Sequence, residues 1–259
     1  MKFAAGIEYK GTAFDGWQCQ SHAPSVQDCL ERALTKVANS PVRTVCAGRT
    51  DSGVHATGQV VHFESDAQRS EREWLQGCNA HTTKDIGLRW MSVVDASFDA
   101  RRSAIRRHYR YVILNSLLQS PLLHDLSTHI YKPLSEQTMH QAAQALVGEH
   151  DFSSFRSAGC QSKTPVRQVY AITVCRDGRF IYIDVCANAF VQYMVRNIVG
   201  VLLEVGAGSQ PEHWVADVLE KRDRTQGGVT ASSNGLYLVK VEYDTRYGLP
   251  DDTVYPSFY

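Results

Sequence analysis

Cys46-Ala47-Gly48-Arg49-Thr50-Asp51-Ser52-Gly53-Val54-His55-Ala56-Thr57-Gly58-Gln59-Val60-Val61-His62-Phe63 consists of two apolar flanks around a polar tip. Residues 42–47 and 59–63 are strand-like. Between them lie three glycines, Gly48, Gly53 and Gly58, with one arginine, Arg49, and one aspartate, Asp51. Glycine lets a chain fold back tightly and approach other backbone closely. A tight loop between two strands carries its polar tip out over the sheet. Asp51 is the only acid between Glu31 and Glu64. A lone carboxylate beside an arginine is held ionised and ready to act on a substrate. The plainer reading of the same residues is an Asx turn, in which Asp51 only caps backbone amides.

Around this loop the pattern alternates between periods of two and 3.6 residues. Residues 2–9 place Phe3, Ala5, Ile7 and Tyr9 on one face of a strand. A loop over 10–21 follows, holding Gly11, Phe14, Asp15, Gly16 and Trp17; its tryptophan either meets nucleic acid or packs inward. Pro24 and Ser25 open a helix whose stripe is Val26, Cys29, Leu30, Ala33, Leu34 and Val37. A helix over 70–78 and a strand over 86–94 complete a β-α-β-β-α-β order, that of a ferredoxin-like half.

The second half reads similarly. A strand is expected over 102–115, and residues 116–131 receive no assignment. Ser135 caps a helix carrying Met139, Ala142, Ala143 and Leu146, ended by Gly148. Two strands, 166–175 and 179–187, meet at Asp177-Gly178, a hairpin signal. Helices follow over 188–205 and from Pro211 to Leu219, then a closing strand over 235–243. The fold class is therefore α+β, divided into 1–103 and 104–259.

The chain has 259 residues, enough for a sizeable core. Lys plus Arg equals Asp plus Glu, 27 against 27, so the whole chain does not advertise a polyanionic partner. The bias is local. Arg101, Arg102, Arg106, Arg107 and Arg110 fall between Ala100 and Tyr111 with no acid among them, which favours phosphate-bearing partners or forms a solvated face. Seven cysteines without CxxC spacing read as small buried hydrophobes in a reducing compartment. No signal peptide or membrane span is visible, and a soluble, cytoplasmic protein is expected. His55 and His62 have no suitably spaced acid or cysteine, so no metal site is expected.

Several stretches, in order, carry a family resemblance. Gly48-Arg49-Thr50-Asp51-Ser52-Gly53-Val54-His55-Ala56 resembles the signature loop of the TruA family of tRNA pseudouridine synthases. Gly11-Thr12-Ala13-Phe14-Asp15-Gly16-Trp17-Gln18 is similar to its first loop. Phe98-Asp99-Ala100-Arg101, leading to Arg107-His108-Tyr109-Arg110-Tyr111, resembles its tyrosine strand. Ala145 to Phe155, Asn188-Ala189-Phe190 through Met194 to Gly200, and Gly235-Leu236-Tyr237-Leu238 resemble further blocks. Each is a weak pattern alone; their joint order is specific.

The resemblance implies two ferredoxin-like halves with antiparallel sheets joined across a central catalytic cleft, and a homodimer. It implies isomerisation of uridine to pseudouridine at positions 38, 39 and 40 of the anticodon stem-loop of tRNA. By position, Asp51 matches the catalytic aspartate and Tyr109 the tyrosine that stacks on the target base. Arg196 matches the aspartate's basic partner, Leu236 the apolar residue closing the base pocket, and Arg49 an arginine that helps extrude the nucleotide. Arg101, Arg106 and Arg110 are candidate phosphate contacts. Two departures stand out: Ala80-His81 where the family usually has Leu-Pro, and Ala231 to Asn234 where a proline pair commonly precedes the closing Gly-Leu.

The chemistry suits these residue types. Breaking the glycosidic bond, turning the uracil and joining C5 to C1′ involves no redox change, so no cofactor is expected. One ionised carboxylate is needed near the sugar, either attacking C1′ or removing a C2′ proton. An aromatic face and an apolar lid hold the detached base without blocking its rotation. Two other readings are weaker. Asp51-Ser52-Gly53 spells the triplet of aspartic proteases, but those enzymes need two such carboxylates and no second triplet appears. A non-catalytic RNA-binding module of the same fold would not need Asp51, Tyr109 and Arg196 together.

Overall fold

In the computed structural model, which describes residues 1–20 and 23–258, the chain forms two compact units that meet in sequence at 106/107 and again at 236/237. The expected break at 103/104 falls three residues before the first of these. The last strand, assigned by sequence to the second half, belongs with the first unit. Each unit is α+β, with mostly antiparallel strand pairing.

The first unit begins with β1 (Lys2–Tyr9), α1 (Val26–Ala38), β2 (Thr44–Cys46), β3 (His55–Glu64), α2 (Glu71–His81) and β4 (Ile86–Val93). β3 pairs antiparallel with β1, and β1 with β4, while β2 lies along the far half of β3. The order β4-β1-β3-β2 is the ferredoxin-like arrangement that the element sequence implies. Ser25 accepts the Asp28 N–H at the start of α1, and Ser70 and Glu73 form a capping box on α2. Trp74 of α2 lies against Phe3 and Phe63, with ring centroids 5.5 and 5.1 Å apart, and makes the centre of this core. Glu31 is buried yet fully engaged. It accepts from the Thr44 N–H at 2.8 Å and pairs with Arg43 at 2.8 Å, tying α1 to the short β2.

The second unit contains β5 (Arg106–Asn115), β6 (Thr128–Ile130), α3 (Glu136–Ala143), β7 (Gly148–Asp151), β8 (Val166–Asp177), β9 (Phe180–Ala187), α4 (Met194–Gly206) and α5 (Trp214–Lys221). Its antiparallel order is β5-β9-β8-β7, with β6 added in parallel to β5. Gly178, at φ +54, makes the expected hairpin turn. The helices pack through close approaches: a Cβ on Gly206 would lie 2.6 Å from Met139. The final strand, β10 (Leu236–Glu242), pairs in parallel with β3, Tyr237 opposite His55.

Three local expectations change, and one open alternative is decided. β5 starts at Arg106 rather than 102, because the Asp99 carboxylate accepts the Arg101 and Arg102 N–H groups and bends residues 99–103 into a turn. α4 starts at Met194 rather than 188, because Tyr193 takes a left-handed conformation, φ +65, before it. Gly148, at φ +119, opens β7; α3 has already ended at Ala143. Trp17 packs inward and is 2% exposed. The expected loop over 10–21 is seen to Gln20 with a 3-10 turn at Gly11–Ala13; its last residue lies outside the described residues.

All seven cysteines are free. Only Cys29, Cys46 and Cys78 are buried; Cys160 and Cys186 are half-buried, and Cys19 and Cys175 are exposed, so the reading as small buried hydrophobes holds for three of the seven. Burial pushes the Cys78 thiol up to about 12. Among the described residues no helix is long and apolar enough to cross a membrane.

His62 yields a test of this packing. Its Nδ1 accepts the Ala100 N–H at 2.9 Å, and burial pushes its pKa below the ordinary 6.5. The unfolded chain then binds the proton more readily than the folded one. The stabilisation is complete above the unfolded value and is lost as pH falls through it toward the lower folded value. Between about pH 7.5 and pH 5.5, spanning the ordinary imidazole range, the urea midpoint of the wild type should fall further than that of His62→Asn. Equal falls would place the acid sensitivity elsewhere.

Candidate active site

The tip between β2 and β3 is built against the loop that follows β1. Trp17 N–H donates to the Thr50 carbonyl at 3.0 Å, and Gly53 N–H donates to the Phe14 carbonyl at 3.3 Å. A Cβ on Gly11 would lie 2.0 Å from the Val54 carbonyl oxygen, and one on Gly16 would lie 2.8 Å from that of Thr50. Gly16 also sits at φ +80 and Gly53 at φ +78. Two backbones therefore touch directly, which only glycine permits. This is why two glycine-rich stretches far apart in sequence belong to one site.

Side chains complete the docking. Tyr9 and Thr50 hydroxyls share a 2.8 Å hydrogen bond, and Gln59 donates through Nε2 to the Gly48 carbonyl at 2.6 Å. His55 accepts the Gly11 N–H through Nδ1 at 3.0 Å, so its neutral ring carries its proton on Nε2. Asp51 ends half-buried at the tip, its carbonyl accepting the Val54 N–H at 3.1 Å, with Arg49 exposed beside it. The turn and the lone carboxylate coexist: backbone bonds shape the loop.

The second unit positions Tyr109, Arg196 and Leu236. Tyr109, on β5, is 8% exposed, with Phe190 set edge-on at 4.9 Å. Arg196 lies in the first turn of α4. Its Nε donates to the Ala231 carbonyl at 2.7 Å, its own carbonyl accepts the Ala231 N–H at 3.1 Å, and its guanidinium covers the Tyr193 ring at 4.7 Å. No carboxylate of its own unit pairs with it among the described residues, Glu204 included. The left-handed Tyr193 thus both starts α4 and braces its arginine. The Ala231 N–H is thus in use, which a proline at 231 would forbid. Leu236, at the start of β10, is buried. Near residue 80, Asn79 exchanges hydrogen bonds with Leu88 at 2.7 and 2.9 Å.

The five arginines do not form one strand face. Arg101 is exposed in the 99–103 turn. Arg106 is 3.8 Å from Glu242. Arg107 is buried and donates to the Asn188 carbonyl at 2.7 Å. Arg110 makes a two-pronged pair with Asp184, both bonds 2.7 Å, beneath the Tyr182 ring.

Sequence reading missed the supports. Nothing in the pattern marked Gln59, Tyr9 or Phe190. Asn197 was equally silent, yet it is 1% exposed and fully bonded, donating to the Phe155 carbonyl at 2.8 Å and accepting from Arg224 and Thr230. An asparagine directly after Arg196 in an otherwise apolar run is the one signal that the sequence carries. Among the described residues no group of three His, Cys, Asp or Glu side chains is arranged to hold a metal ion. His55 and His62 each spend Nδ1 on a backbone N–H.

Comparison with known proteins bears on this arrangement. The family model described as tRNA pseudouridine synthase matches residues 5–101 and 142–244. Proteins named tRNA pseudouridine synthase A from Shigella sonnei strain Ss046 and Escherichia coli O1:K1 are each 52% identical to this chain over 257 residues, covering 99% of it and 95% of the relative. Among solved structures, a Cbf5-Nop10-Gar1 complex shares 15% identity at a TM-score of 0.34, covering 78% of this chain and 45% of that one.

The loop docking is testable by stability alone. Gly11→Ala forces its methyl into the Val54 carbonyl and should cost about 1–3 kcal/mol in urea unfolding. Gly87→Ala, in β4 with nothing within 4 Å of the new methyl, is the control and should stay within about 0.5 kcal/mol. Equal effects would mean that the two loops are not in contact.

Proposed function

This chain belongs to the TruA family of tRNA pseudouridine synthases, and from that premise we propose that it converts uridine to pseudouridine at positions 38, 39 and 40 of the anticodon stem-loop of tRNA. The observation that carries the reading is likeness along the whole chain to enzymes of that name.

Asp51 supplies the reacting carboxylate. It attacks C1′ or removes the C2′ proton, and either route needs it ionised. The C1′–N1 bond breaks, the uracil turns, and C5 bonds to C1′. C5 then gives up its proton and N1 gains one, so atoms balance without a co-reactant. Arg196 is the cationic partner that keeps the carboxylate charged as substrate excludes water. Its fixed Nε and ring-backed guanidinium support this role, because a braced cation needs no reordering when the substrate arrives. Tyr109 stacks on the target base and Leu236 walls the base pocket. Arg49, exposed on the same loop as Asp51, helps hold the nucleotide out of the helical stack. The enzyme acts in the cytoplasm, as seven free thiols favour, and as a homodimer, which rests on the family resemblance.

The chemistry is tested by tritium release from C5-labelled uridine in tRNA. Asp51→Asn should bind tRNA as the wild type does and lose turnover by several orders of magnitude. Turnover within about tenfold, a loss of only ~1.4 kcal/mol, would remove Asp51 from the reaction.

Binding gives a separate expectation. The chain is neutral, so tRNA affinity comes from local cations and falls with salt. Arg101→Ala should flatten the log–log salt slope by about one unit. Arg110→Ala should change it far less, since Asp184 already neutralises that guanidinium. Equal flattening by both would show that tRNA displaces the Asp184 pair.

A further inference from the structure

His55 leads directly out of the Asp51 loop into β3, and its ring is held on more than one side. It is 1% exposed, accepts the Gly11 N–H, and stacks on Tyr237 with centroids 4.7 Å apart and planes 21° from parallel. Tyr237 is its register partner in the parallel pairing of β3 with β10. Burial pushes the Tyr237 phenol up, so the ring stays neutral. This short ladder grips β3 where the loop ends.

The segment after β10 returns to this point. Phe258 meets Tyr237 edge-on, centroids 6.3 Å apart and planes 68° apart. The Thr57 hydroxyl, two residues beyond His55, donates to the Val254 carbonyl. Lys240 of β10 pairs with Asp251 at 2.9 Å. Three ties thus fasten residues 251–258 to the two strands that hold the His55 ring.

We propose that His55 and Tyr237 are positioning residues for the Asp51 loop, and that the tail over residues 251–258 clamps them. The mechanical chain runs from Phe258 to Tyr237, to His55, to Gly11, and through the Gly11–Val54 backbone contact to the loop. The Gly11 N–H has a fixed acceptor only while the imidazole keeps its plane. If the ring turns, the first loop loses its anchor and Asp51 loses the backbone against which its loop is folded. The proposal rests on Asp51 as the reacting group; neither ring needs to touch the RNA.

The test compares the full chain with a variant ending at Pro250, and His55→Leu with His55→Asn, which restores an acceptor near the Nδ1 position. The readouts are tritium release at saturating tRNA, tRNA Kd, and amide hydrogen exchange at Gly11, Gly53 and Val54. Removing the tail should lower turnover by about tenfold, leave Kd within about twofold, and speed exchange at all three amides. His55→Leu should do the same more strongly, and His55→Asn should recover most of the loss. Unchanged turnover and exchange in the shortened chain would overturn the proposal. So would a Kd that weakens in step with turnover, because the tail would then be binding RNA. If His55→Leu does not fold, the shortened chain decides. Exchange reports loop docking whatever Asp51 does. Faster exchange with Asp51→Asn still active would therefore sink the assignment of Asp51 and leave the clamp standing.

Discussion

Two backbones in direct contact govern the first unit. Gly11 lies against the Val54 carbonyl and Gly16 against that of Thr50, with no side chain between them. Everything at the loop tip follows from this. The contact allows Trp17 and Gly53 to form cross-loop hydrogen bonds, and it places the Gly11 N–H within reach of His55. Tyr9 and Gln59 then fill the space beneath, tying Thr50 and Gly48 to strands β1 and β3. Asp51 is carried by a loop whose main chain is bonded before and after it. A carboxylate so placed is oriented by folding itself.

The second unit repeats the device. A Cβ on Gly200, one turn along α4 from Arg196, would lie 1.9 Å from the Val229 carbonyl oxygen, and one on Gly228 would lie 2.9 Å from that of Gly200. The segment around 228–231 is thereby pressed onto α4. Its Ala231 bonds Arg196 through both its carbonyl and its N–H, while Thr230 and Arg224 satisfy the buried Asn197. Glycine in a helix interior costs about 0.5–1 kcal/mol relative to alanine. Here it lets a loop pack where a methyl would stand. Arg196 is steadied by backbone, as the Asp51 loop is.

Periodic elements were legible in the sequence because their signal is local. Alternation gave β1, the 3.6-residue stripe gave α1, and Asp177-Gly178 gave the β8–β9 turn. What failed depended on partners distant in sequence or on single dihedrals. Asp99 turns residues 99–103 out of the strand by accepting two N–H groups, which composition cannot reveal. Tyr193 in a left-handed conformation delays α4, although nothing in a tyrosine announces φ +65. β6 is three residues long and exists only through its pairing with β5. The Asp51 loop was conspicuous for its glycines, yet what those glycines touch was not: that required knowing that residues 11–16 lie behind them.

Charge shows the same limit. Five arginines without an acid in twelve residues look like one electropositive stripe, but alternation along β5 sends neighbours to opposite faces. Arg110 points to the face where β9 offers Asp184 in register, so a neutral two-pronged pair forms. Arg107 turns to the other face and is consumed by the Asn188 carbonyl, steadying the chain that leads toward Phe190 and α4. Arg101 lies outside the strand on an exposed turn. Linear charge density therefore overstates the cationic surface, because strand pairing supplies acids that the run lacks. A chain with equal numbers of acids and bases meets a polyanion through the local arrangement of its cations, and strand pairing is what sets that arrangement along β5.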